Sequence, residues 1–144
     1  MTLSDLPEIA AIEKESYSDA WSLGMFSSHV NSGSAVNFVL ENEQEIIGYA
    51  CNTSLPGFFI SIDNITIREE FRRRGYASML VEQVIQTAQA NLADNVTLEV
   101  RESNQAAVNL YLKLGFVLQG RRKRYYRQPV EDALIMTLHL SKAK

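Results

Sequence analysis

The hydrophobic repeat of the chain changes at Gly75 from a period of two residues to a helical period. Before the glycine, FFISIDNITI has the alternation of a strand, and after it apolar residues recur at helical spacing. The helical positions are Ala77, Leu80, Val81, Val84, Ile85 and Ala88. A strand that leads through a glycine loop into an amphipathic helix of about three or four turns needs a sheet on which that helix packs. The stretch therefore predicts a protein of the α/β class.

The predicted strand contains an irregularity. Ile60 and Ile62 lie on one face of the period-two pattern, whereas Ile65 and Ile67 lie in the other phase, so the pattern slips at 63–64. An extra residue that changes the face of a strand is a β-bulge, which exposes unpaired backbone groups. A strand that is buried on both faces gives the same pattern, and the sequence favours neither explanation.

The remaining segments extend this sheet. One helix is predicted near the start of the chain and a second begins at Ser22. A later helix is capped by Ser103 or Asn104 and ends at Gly115. Strands are predicted at AVNFVL, EIIGYACNTS and NVTLEVRES, with a last antiparallel pair at FVLQGRRKRYY and DALIMTLHL. This order predicts a single mixed α/β domain, residues 1–144, with a central sheet.

The composition excludes several classes of function. The formal net charge of −3 argues against attraction of the whole molecule to nucleic acid or to an anionic membrane. One cysteine, Cys51, and two scattered histidines are too few for a disulfide or a metal cluster, so no metal is expected and Cys51 is predicted to lie in the core. The N-terminal sequence carries acids where a secretion signal carries lysines, and no apolar window has the length of a bilayer span. The protein is therefore expected in the cytoplasm.

The loop REEFRRRGYAS is a candidate site for a phosphate group. It brings several backbone N–H groups and the positive end of a helix dipole to one place, with arginines beside them. Gly75 permits a positive φ, and Ala77 is small enough not to obstruct a ligand. The bare pattern R-x-x-G-x-A is nevertheless more often a solvated turn. No Lys-Ser or Lys-Thr pair follows the glycine and no further glycines accompany it, which excludes a P-loop and a dinucleotide fingerprint.

Two further residues are candidates for acid–base chemistry. Glu99 lies on the polar face of the strand NVTLEVRES, in which Val96, Leu98 and Val100 point the other way. Tyr111 lies on the inner face of the following helix. Taken alone, each has an ordinary explanation, because a strand glutamate is usually at the surface and an aromatic at helical spacing is usually in the core.

Taken together, the motifs RRRGYA, LEVR and SNQAAVNLYLKLGF resemble the GNAT superfamily of acetyl-CoA-dependent N-acetyltransferases. The resemblance extends from DLPEIAAIEKESY to DALIMTL and is strongest from Asn64 to Phe116. With RRKRYY and EDALIM added, the chain is similar more narrowly to the bacterial RimI branch, whose members acetylate the N-terminal alanine of a small-subunit ribosomal protein. The resemblance implies a GNAT-like mixed sheet, mostly antiparallel and flanked by helices, in which the bulged strand opens a V-shaped cofactor cleft.

The resemblance also implies which residues bind acetyl-CoA, the co-substrate. Backbone groups of Ile65, Thr66 and Ile67 would pair with the pantetheine arm and the thioester carbonyl, and Asn104 would make a further cofactor contact. Backbone N–H groups of six loop residues would hold the pyrophosphate: Arg73, Arg74, Gly75, Tyr76, Ala77 and Ser78. One departure is Ala77, which stands where the family usually has glycine.

The same resemblance implies the chemistry. Glu99 would be the proton acceptor and Tyr111 the proton donor in a direct transfer, in a ternary complex, without a covalent enzyme intermediate. An α-amine with a pKa of about 7.7–8.0 loses its proton at a cost about 3.5 kcal/mol lower than lysine, whose pKa is about 10.4. A single carboxylate base is therefore better suited to a protein N-terminus than to lysine.

A second basic stretch, GRRKRYYRQP, holds five basic residues among the seven from Arg121 to Arg127. Basic residues interleaved with aromatics are typical of single-stranded nucleic-acid sites. The net charge and the strand-like setting favour a solvated hairpin instead. In the RimI branch the paired tyrosines lie near the acceptor peptide, which assigns that role to Tyr125 and Tyr126, and acceptor contacts are also sought in residues 17–26.

Three hypotheses for the function follow. The leading one is acetylation of a protein N-terminus, an alanine of a small-subunit ribosomal protein, by a monomer with no nucleic-acid or membrane partner. The second is a GNAT enzyme whose acceptor is a small-molecule amine or a lysine side chain. The third is a CoA-binding or nucleic-acid-binding module without catalysis. Release of CoA with alanine-starting peptides or with free amines distinguishes the first two hypotheses. Binding of RNA, or of acetyl-CoA without turnover, would favour the third.

Overall fold

A computed structural model describes residues 1–127 and 129–141. Its helices are α1 Leu6–Ser16, α2 Leu23–Asn31, α3 Tyr76–Ala90 and α4 Gln105–Lys113. Its strands are β1 Phe38–Asn42, β2 Glu45–Leu55, β3 Phe59–Ile67, β4 Asn95–Arg101, β5 Val117–Arg127 and β6 Val130–His139. Two short 3-10 turns, Leu3–Asp5 and Glu69–Phe71, precede α1 and α3.

The six strands form one open sheet in the order β1-β2-β3-β4-β6-β5. The pairs β1–β2, β4–β6 and β5–β6 are antiparallel, while β3 and β4 are parallel, with Phe59–Ile62 opposite Asn95–Leu98. The predicted mixed, mostly antiparallel sheet with flanking helices is thus confirmed. No helix in the described part of the chain is long and apolar enough to cross a membrane.

The chain is divided into two compact units. The first consists of Met1–Ser54 and Asp63–Gln83, and the second of Leu55–Ile62 and the chain from Val84 onward. The boundary crosses β3 between Ile62 and Asp63, which is where the sequence pattern slips its phase. The predicted bulge, the V-shaped opening and the single domain of residues 1–144 stay predictions.

The first unit buries the apolar faces of α1 and α2 against β2. Ser22 starts α2 as predicted, because its Oγ accepts the Met25 N–H at 3.1 Å. The core cluster consists of Leu6, Ile9, Ile12, Phe26, Ile46, Tyr49 and Cys51. Cys51 is fully buried, which confirms its predicted place in the core, and burial raises the pKa of its thiol to about 12.

A second cluster of the first unit requires a glycine in β2. Ala50, Ile67 and Leu80 form this cluster. A Cβ on Gly48 would lie 2.5 Å from Ile67 Cδ1 and 3.0 Å from the Thr66 carbonyl oxygen. Since real Cβ atoms are not found so close to other atoms, the absence of a side chain at position 48 lets β2 approach the end of β3.

The second unit contains the regular alternation predicted for β4. Val96, Leu98 and Val100 are buried, whereas the residues between them are partly exposed. Asn104 rather than Ser103 caps α4, because its Oδ1 accepts the Ala107 N–H at 3.2 Å. Gly115 follows the helix with φ +100°, as predicted for a C-terminal glycine.

The β5–β6 pair is less regular than the sequence predicts. Its register shifts between Leu118 and Gly120 and again between Arg122 and Tyr126. At the second shift Arg122 lies opposite Ala133 and Tyr126 opposite Glu131, so that residues 123–125 of β5 have one residue opposite them in β6. Arg124, inside this shift, has φ +53°. The irregularity determines where the paired tyrosines lie.

Candidate active site

The loop before α3 has the backbone conformation of an anion site. Arg73 and Gly75 both have positive φ, 64° and 84°, and α3 begins at Tyr76. The first hydrogen bond of the helix joins Met79 N–H to the Gly75 carbonyl at 3.2 Å. Among the described residues, the N–H groups of 73–78 donate to no acceptor. These free donors at the start of a helix are suited to a diphosphate.

The arginines of this loop have separate contacts. Arg72 donates through Nε to the Ile67 carbonyl at 2.9 Å and through Nη2 to Ser16 Oγ at 3.3 Å. The guanidinium of Arg74 lies 5.5 Å from the ring centroid of Phe71. Arg72 therefore ties the loop to the end of β3. The positive φ of Arg73 was missed by the sequence analysis, since a non-glycine residue gives no sign of it.

The end of β3, predicted to contact the pantetheine arm, already has partners within its own unit. The Ile65 carbonyl accepts the Tyr17 hydroxyl at 2.9 Å, and the Ile67 carbonyl accepts Arg72 Nε. Thr66 is only 3% exposed, and its hydroxyl donates to Tyr17 Oη at 3.0 Å. Each of the two carbonyl oxygens thus already accepts one hydrogen bond. The cofactor role of these backbone groups stays a prediction, and it depends on the remaining lone pairs of these oxygens and on the backbone N–H groups.

The candidate base, Glu99, is paired with a cation. Its side chain is 27% exposed, and its Oε1 lies 2.7 Å from Nε of Arg122 on β5. Glu99 is opposite Ile135 of β6, and Arg122 is opposite Ala133 of the same strand. The sequence analysis missed Arg122, because its contact depends on the register of three strands with irregular pairing.

The candidate acid, Tyr111, is a buried residue of α4. It is 4% exposed, and its ring centroid lies 5.5 Å from that of Phe116. Its backbone carbonyl accepts the N–H groups of Leu114 and Phe116, which closes the helix. Its burial fits the core aromatic that helical spacing predicts, and the role of proton donor implied by the resemblance stays a prediction.

Asn104, the predicted cofactor contact of the second unit, acts structurally through one end of its amide. Its Oδ1 is the cap of α4, and its N–H donates to the Arg101 carbonyl at 3.0 Å. The side-chain NH₂ group is the part that a cofactor would contact. This role stays a prediction.

The two tyrosines predicted to contact the acceptor pack on each other and on arginines. The rings of Tyr125 and Tyr126 are 5.1 Å apart and nearly perpendicular, at 83°. Arg122 lies 5.7 Å from the ring centroid of Tyr125, and Arg101 lies 4.2 Å from that of Tyr126. Arg122 therefore contacts both Glu99 and Tyr125, so a single guanidinium joins the candidate base to the candidate acceptor contact.

Acidic residues neutralise part of the basic stretch. Arg121 Nη1 lies 2.6 Å from Glu102 and 3.1 Å from Asp132, and Arg122 faces Glu99. The Arg124 N–H donates to Asp132 Oδ1 at 2.9 Å, and this hydrogen bond is the main cause that lowers the pKa of Asp132. No group of three or more histidine, cysteine, aspartate or glutamate side chains suited to a metal occurs among residues 1–127 and 129–141.

A comparison with protein families gives a match over most of the chain. Residues 6–116 match the family model described as "Acetyltransferase (GNAT) family". Among curated relatives, the ribosomal protein bS18-alanine N-acetyltransferase of Salmonella typhimurium is 33% identical, over 98% of this chain and 95% of the relative. A putative ribosomal protein bS18-alanine N-acetyltransferase of Bacillus subtilis is 31% identical, over 94% of this chain and 90% of the relative.

Solved structures give the same result. The ribosomal-protein-S18-alanine N-acetyltransferase from Escherichia coli superposes with a TM-score of 0.92 at 30% identity, over 100% of this chain and 93% of that one. Ard1 from Thermoplasma volcanium superposes with a TM-score of 0.89 over 99% of this chain and 95% of that one. Since its identity is 21%, that second likeness bears on the fold alone.

Proposed function

The chain belongs to the acetyltransferase (GNAT) family, and on that premise we propose that it transfers the acetyl group of acetyl-CoA to the N-terminal α-amine of a protein, the alanine of ribosomal protein bS18. The observation that carries this proposal is similarity over the whole length: relatives with this activity in their names are 31–33% identical and are covered over at least 90% of their length. The resemblance of the sequence motifs to the RimI branch implies the same acceptor.

Acetyl-CoA supplies an activated thioester, and we assign its parts to the residues that the resemblance predicts. The free N–H groups of 73–78 would hold the pyrophosphate, and the backbone of Ile65–Ile67 would hold the pantetheine arm and the thioester. The NH₂ group of Asn104 is left for a further contact. Donors that need no reorganisation when the ligand binds favour tight binding.

Glu99 and Tyr111 would move the protons. Glu99 takes a proton from the acceptor ammonium, directly or through a water, and the neutral nitrogen attacks the thioester carbon. The carbon–sulfur bond then breaks, and Tyr111 donates its proton to the departing thiolate. The nitrogen loses its second proton to the Tyr111 phenolate, directly or through a water, so that the net proton released is the one held by Glu99. The carbon–nitrogen bond formed and the carbon–sulfur bond broken balance the reaction without a covalent enzyme intermediate.

Arg122 has a defined place in this scheme. Its Nε lies 2.7 Å from Oε1 of Glu99, and in the proposed scheme Oε2 is the oxygen that takes the proton from the acceptor. Its contact with Tyr125 joins the base to a tyrosine pair that lies on an irregular part of β5. An acceptor peptide that packs on Tyr125 therefore acts on the side chain that orients the base.

The finer features of the assignment are part of the same proposal. The acceptor is a protein, and the enzyme acts in the cytoplasm as a monomer of one domain. Nucleic acid and membrane are not expected among its partners, because the net charge is −3 and the basic stretch is partly paired with acids.

The decisive experiment is an acetylation assay on a peptide panel with acetyl-CoA. Alanine-starting peptides with the N-terminal sequence of bS18 are compared with the same peptides carrying a blocked α-amine and one free lysine, and with polyamines and amino acids. Release of CoA is followed, and mass spectrometry locates the acetyl group. Acetylation confined to the free α-amine supports the proposal. A preference for free amines or for lysine would replace it with the second hypothesis.

A further inference from the structure

A buried acid of α1 is not used by the chemistry proposed above. Glu13 is 2% exposed and lies within the first unit. Its carboxyl group accepts three hydrogen bonds: Tyr49 Oη to Oε1 at 2.6 Å, Asn64 Nδ2 to Oε1 at 3.0 Å, and the Trp21 N–H to Oε2 at 2.9 Å. Burying such a group is costly unless its oxygens are satisfied, and here both are.

The three donors come from three different segments. Tyr49 belongs to β2, Asn64 to β3, and Trp21 to the loop between α1 and α2. Burial raises the pKa of Tyr49 well above its usual value, and the hydrogen bond to Glu13 raises it further, so the phenol keeps its proton and remains a donor. Among the described residues no cation forms an ion pair with Glu13. Within the described part of the chain, this carboxyl group is therefore held by hydrogen bonds and not by an ion pair.

A second layer of contacts leads from Glu13 to the strand predicted to hold the thioester. Thr66 Oγ1 lies 3.3 Å from Asn64 Oδ1 and 3.0 Å from Tyr17 Oη. Tyr17 in turn donates to the Ile65 carbonyl at 2.9 Å. Although the Tyr17 side chain reaches the surface, burial of its hydroxyl raises its pKa, so this donor also stays protonated.

Both layers join the same two segments. One is the α1–α2 loop with residues 17–21, and the other is the part of β3 with residues 64–66. We infer that Glu13 is a positioning residue for acetyl transfer: its carboxyl group holds this loop and this strand segment in the one arrangement in which the Ile65–Thr66 backbone receives the thioester. The inference rests on the proposed function, in which that backbone contacts the substrate.

Stability alone is a weak explanation of this arrangement. Replacing a whole buried polar network by well-packed apolar residues is often neutral for stability, whereas a fully satisfied network rigidifies the segments that it joins. The partners of Glu13 are all groups whose direction matters: a backbone N–H, an amide and a phenol. Each of them would face a wrong partner if the loop or the strand shifted.

The test uses Glu13→Gln, which keeps the size of the side chain. A glutamine has one acceptor oxygen and one NH₂ group, so one of the three donors would face another donor. In a kinetic assay on the alanine-starting peptide we expect kcat to fall at least about tenfold, because a displacement of about 1 Å at a reacting centre can cost about 100-fold. KM for acetyl-CoA should change less than kcat.

Two further variants separate positioning from stability. Ile12→Val removes one methylene beside Glu13 on α1, where Ile12 is 1% exposed, and should lower the melting temperature while keeping kcat within about twofold of the parent. Tyr17→Phe removes only the hydroxyl that joins Thr66 to Ile65, and should lower kcat with little change in melting temperature. If Glu13→Gln does not fold, Tyr17→Phe alone decides.

The results that would refute the role of Glu13 differ from those that would refute the proposed function. If Glu13→Gln and Tyr17→Phe both keep the parent kcat, or lose it only in proportion to melting temperature as Ile12→Val does, Glu13 is structural and the inference is wrong. If the parent protein acetylates free amines but no peptide, the proposed acceptor is wrong. The same three variants are then measured on that amine, where a selective fall in kcat would still support positioning by Glu13.

Discussion

Replacing Gly75 with alanine isolates the contribution of the loop backbone to acetyl-CoA binding. Gly75 has φ +84°, and a Cβ built there meets no atom within 4 Å. The methyl group therefore fits, and the only consequence of the substitution is the strain of a positive φ. The N–H groups proposed to hold the pyrophosphate belong to a loop in which residues 73 and 75 both have positive φ, and we expect their arrangement as an anion nest to depend on that conformation.

The size of the effect follows from that strain. A left-handed conformation costs a residue with a side chain about 1–2 kcal/mol more than it costs glycine. Since the loop is exposed, it can relax in the free protein, and acetyl-CoA must then restore the strained form when it binds. At about 1.4 kcal/mol per factor of ten, we expect the Kd of acetyl-CoA to rise about 5- to 30-fold.

A matched control is available in the second unit. Gly57 has φ +82°, and a Cβ there also meets no atom within 4 Å, so Gly57→Ala carries the same strain at a turn with no proposed role in binding. Titration calorimetry with acetyl-CoA, without acceptor, measures Kd for both variants, and thermal unfolding measures stability. Gly57→Ala should lose stability and keep the parent Kd.

If the loop binds through its backbone, substitution of an arginine should lower the affinity for acetyl-CoA less than substitution of Gly75. Arg72 contacts Ile67 and Ser16, so Arg72→Ala should mainly lower stability, and Gly75→Val should weaken binding more than Arg72→Ala does. A Gly75→Ala protein with an unchanged Kd would refute the reasoning. Equally, a larger loss of affinity from Arg72→Ala or Arg74→Ala would mean that positive charge, not backbone geometry, attracts the diphosphate.

Three other predictions concern single side chains. Glu99→Gln should bind acetyl-CoA with nearly the parent Kd but turn over about 100-fold or more slowly, the usual contribution of a general base; unchanged turnover would exclude Glu99 as the base. Tyr111→Phe should lower kcat without a large fall in melting temperature, whereas a large fall with kcat retained would make Tyr111 a core aromatic only. The Cys51 thiol, with its pKa raised to about 12, should resist iodoacetamide at pH 8.5 in the folded protein and react in denaturant, as read by mass. Because the unfolded thiol ionises first, stability should also fall as the pH rises through about 8.5 towards 12.

Patterns that are local in the sequence predicted most of the fold. The alternation of β4, the helical stripe of α3 and the caps at Ser22 and Asn104 each depend on residues within one turn or one strand. The alternation of β4 predicts Glu99 on the polar face, and the structure has it on the partly exposed face, whereas its role as base is implied by the resemblance alone. Local rules are sufficient where the physical cause is itself local.

The contacts that the sequence did not predict join distant segments. The pair Arg122–Glu99 depends on how two irregular strands align with β6, and the network around Glu13 brings together residues 36 and 51 positions further along the chain. No periodicity encodes such a distance. Arg73 is missed for a different reason, because a positive φ in an arginine is imposed by the loop around it.

The irregular stretch of β5 has a consequence for protein engineering and for divergence within the family. Residues 123–125 have one residue opposite them in β6, so they can be lengthened, shortened or exchanged while Arg122 stays opposite Ala133. Tyr125 lies within this stretch, whereas the guanidinium that holds Glu99 lies just outside it. If the proposed roles hold, libraries confined to these three positions would vary the acceptor contact while leaving the Arg122–Glu99 hydrogen bond in place, and the effect of position 125 on turnover would measure how strongly its contact with Arg122 couples acceptor choice to the base.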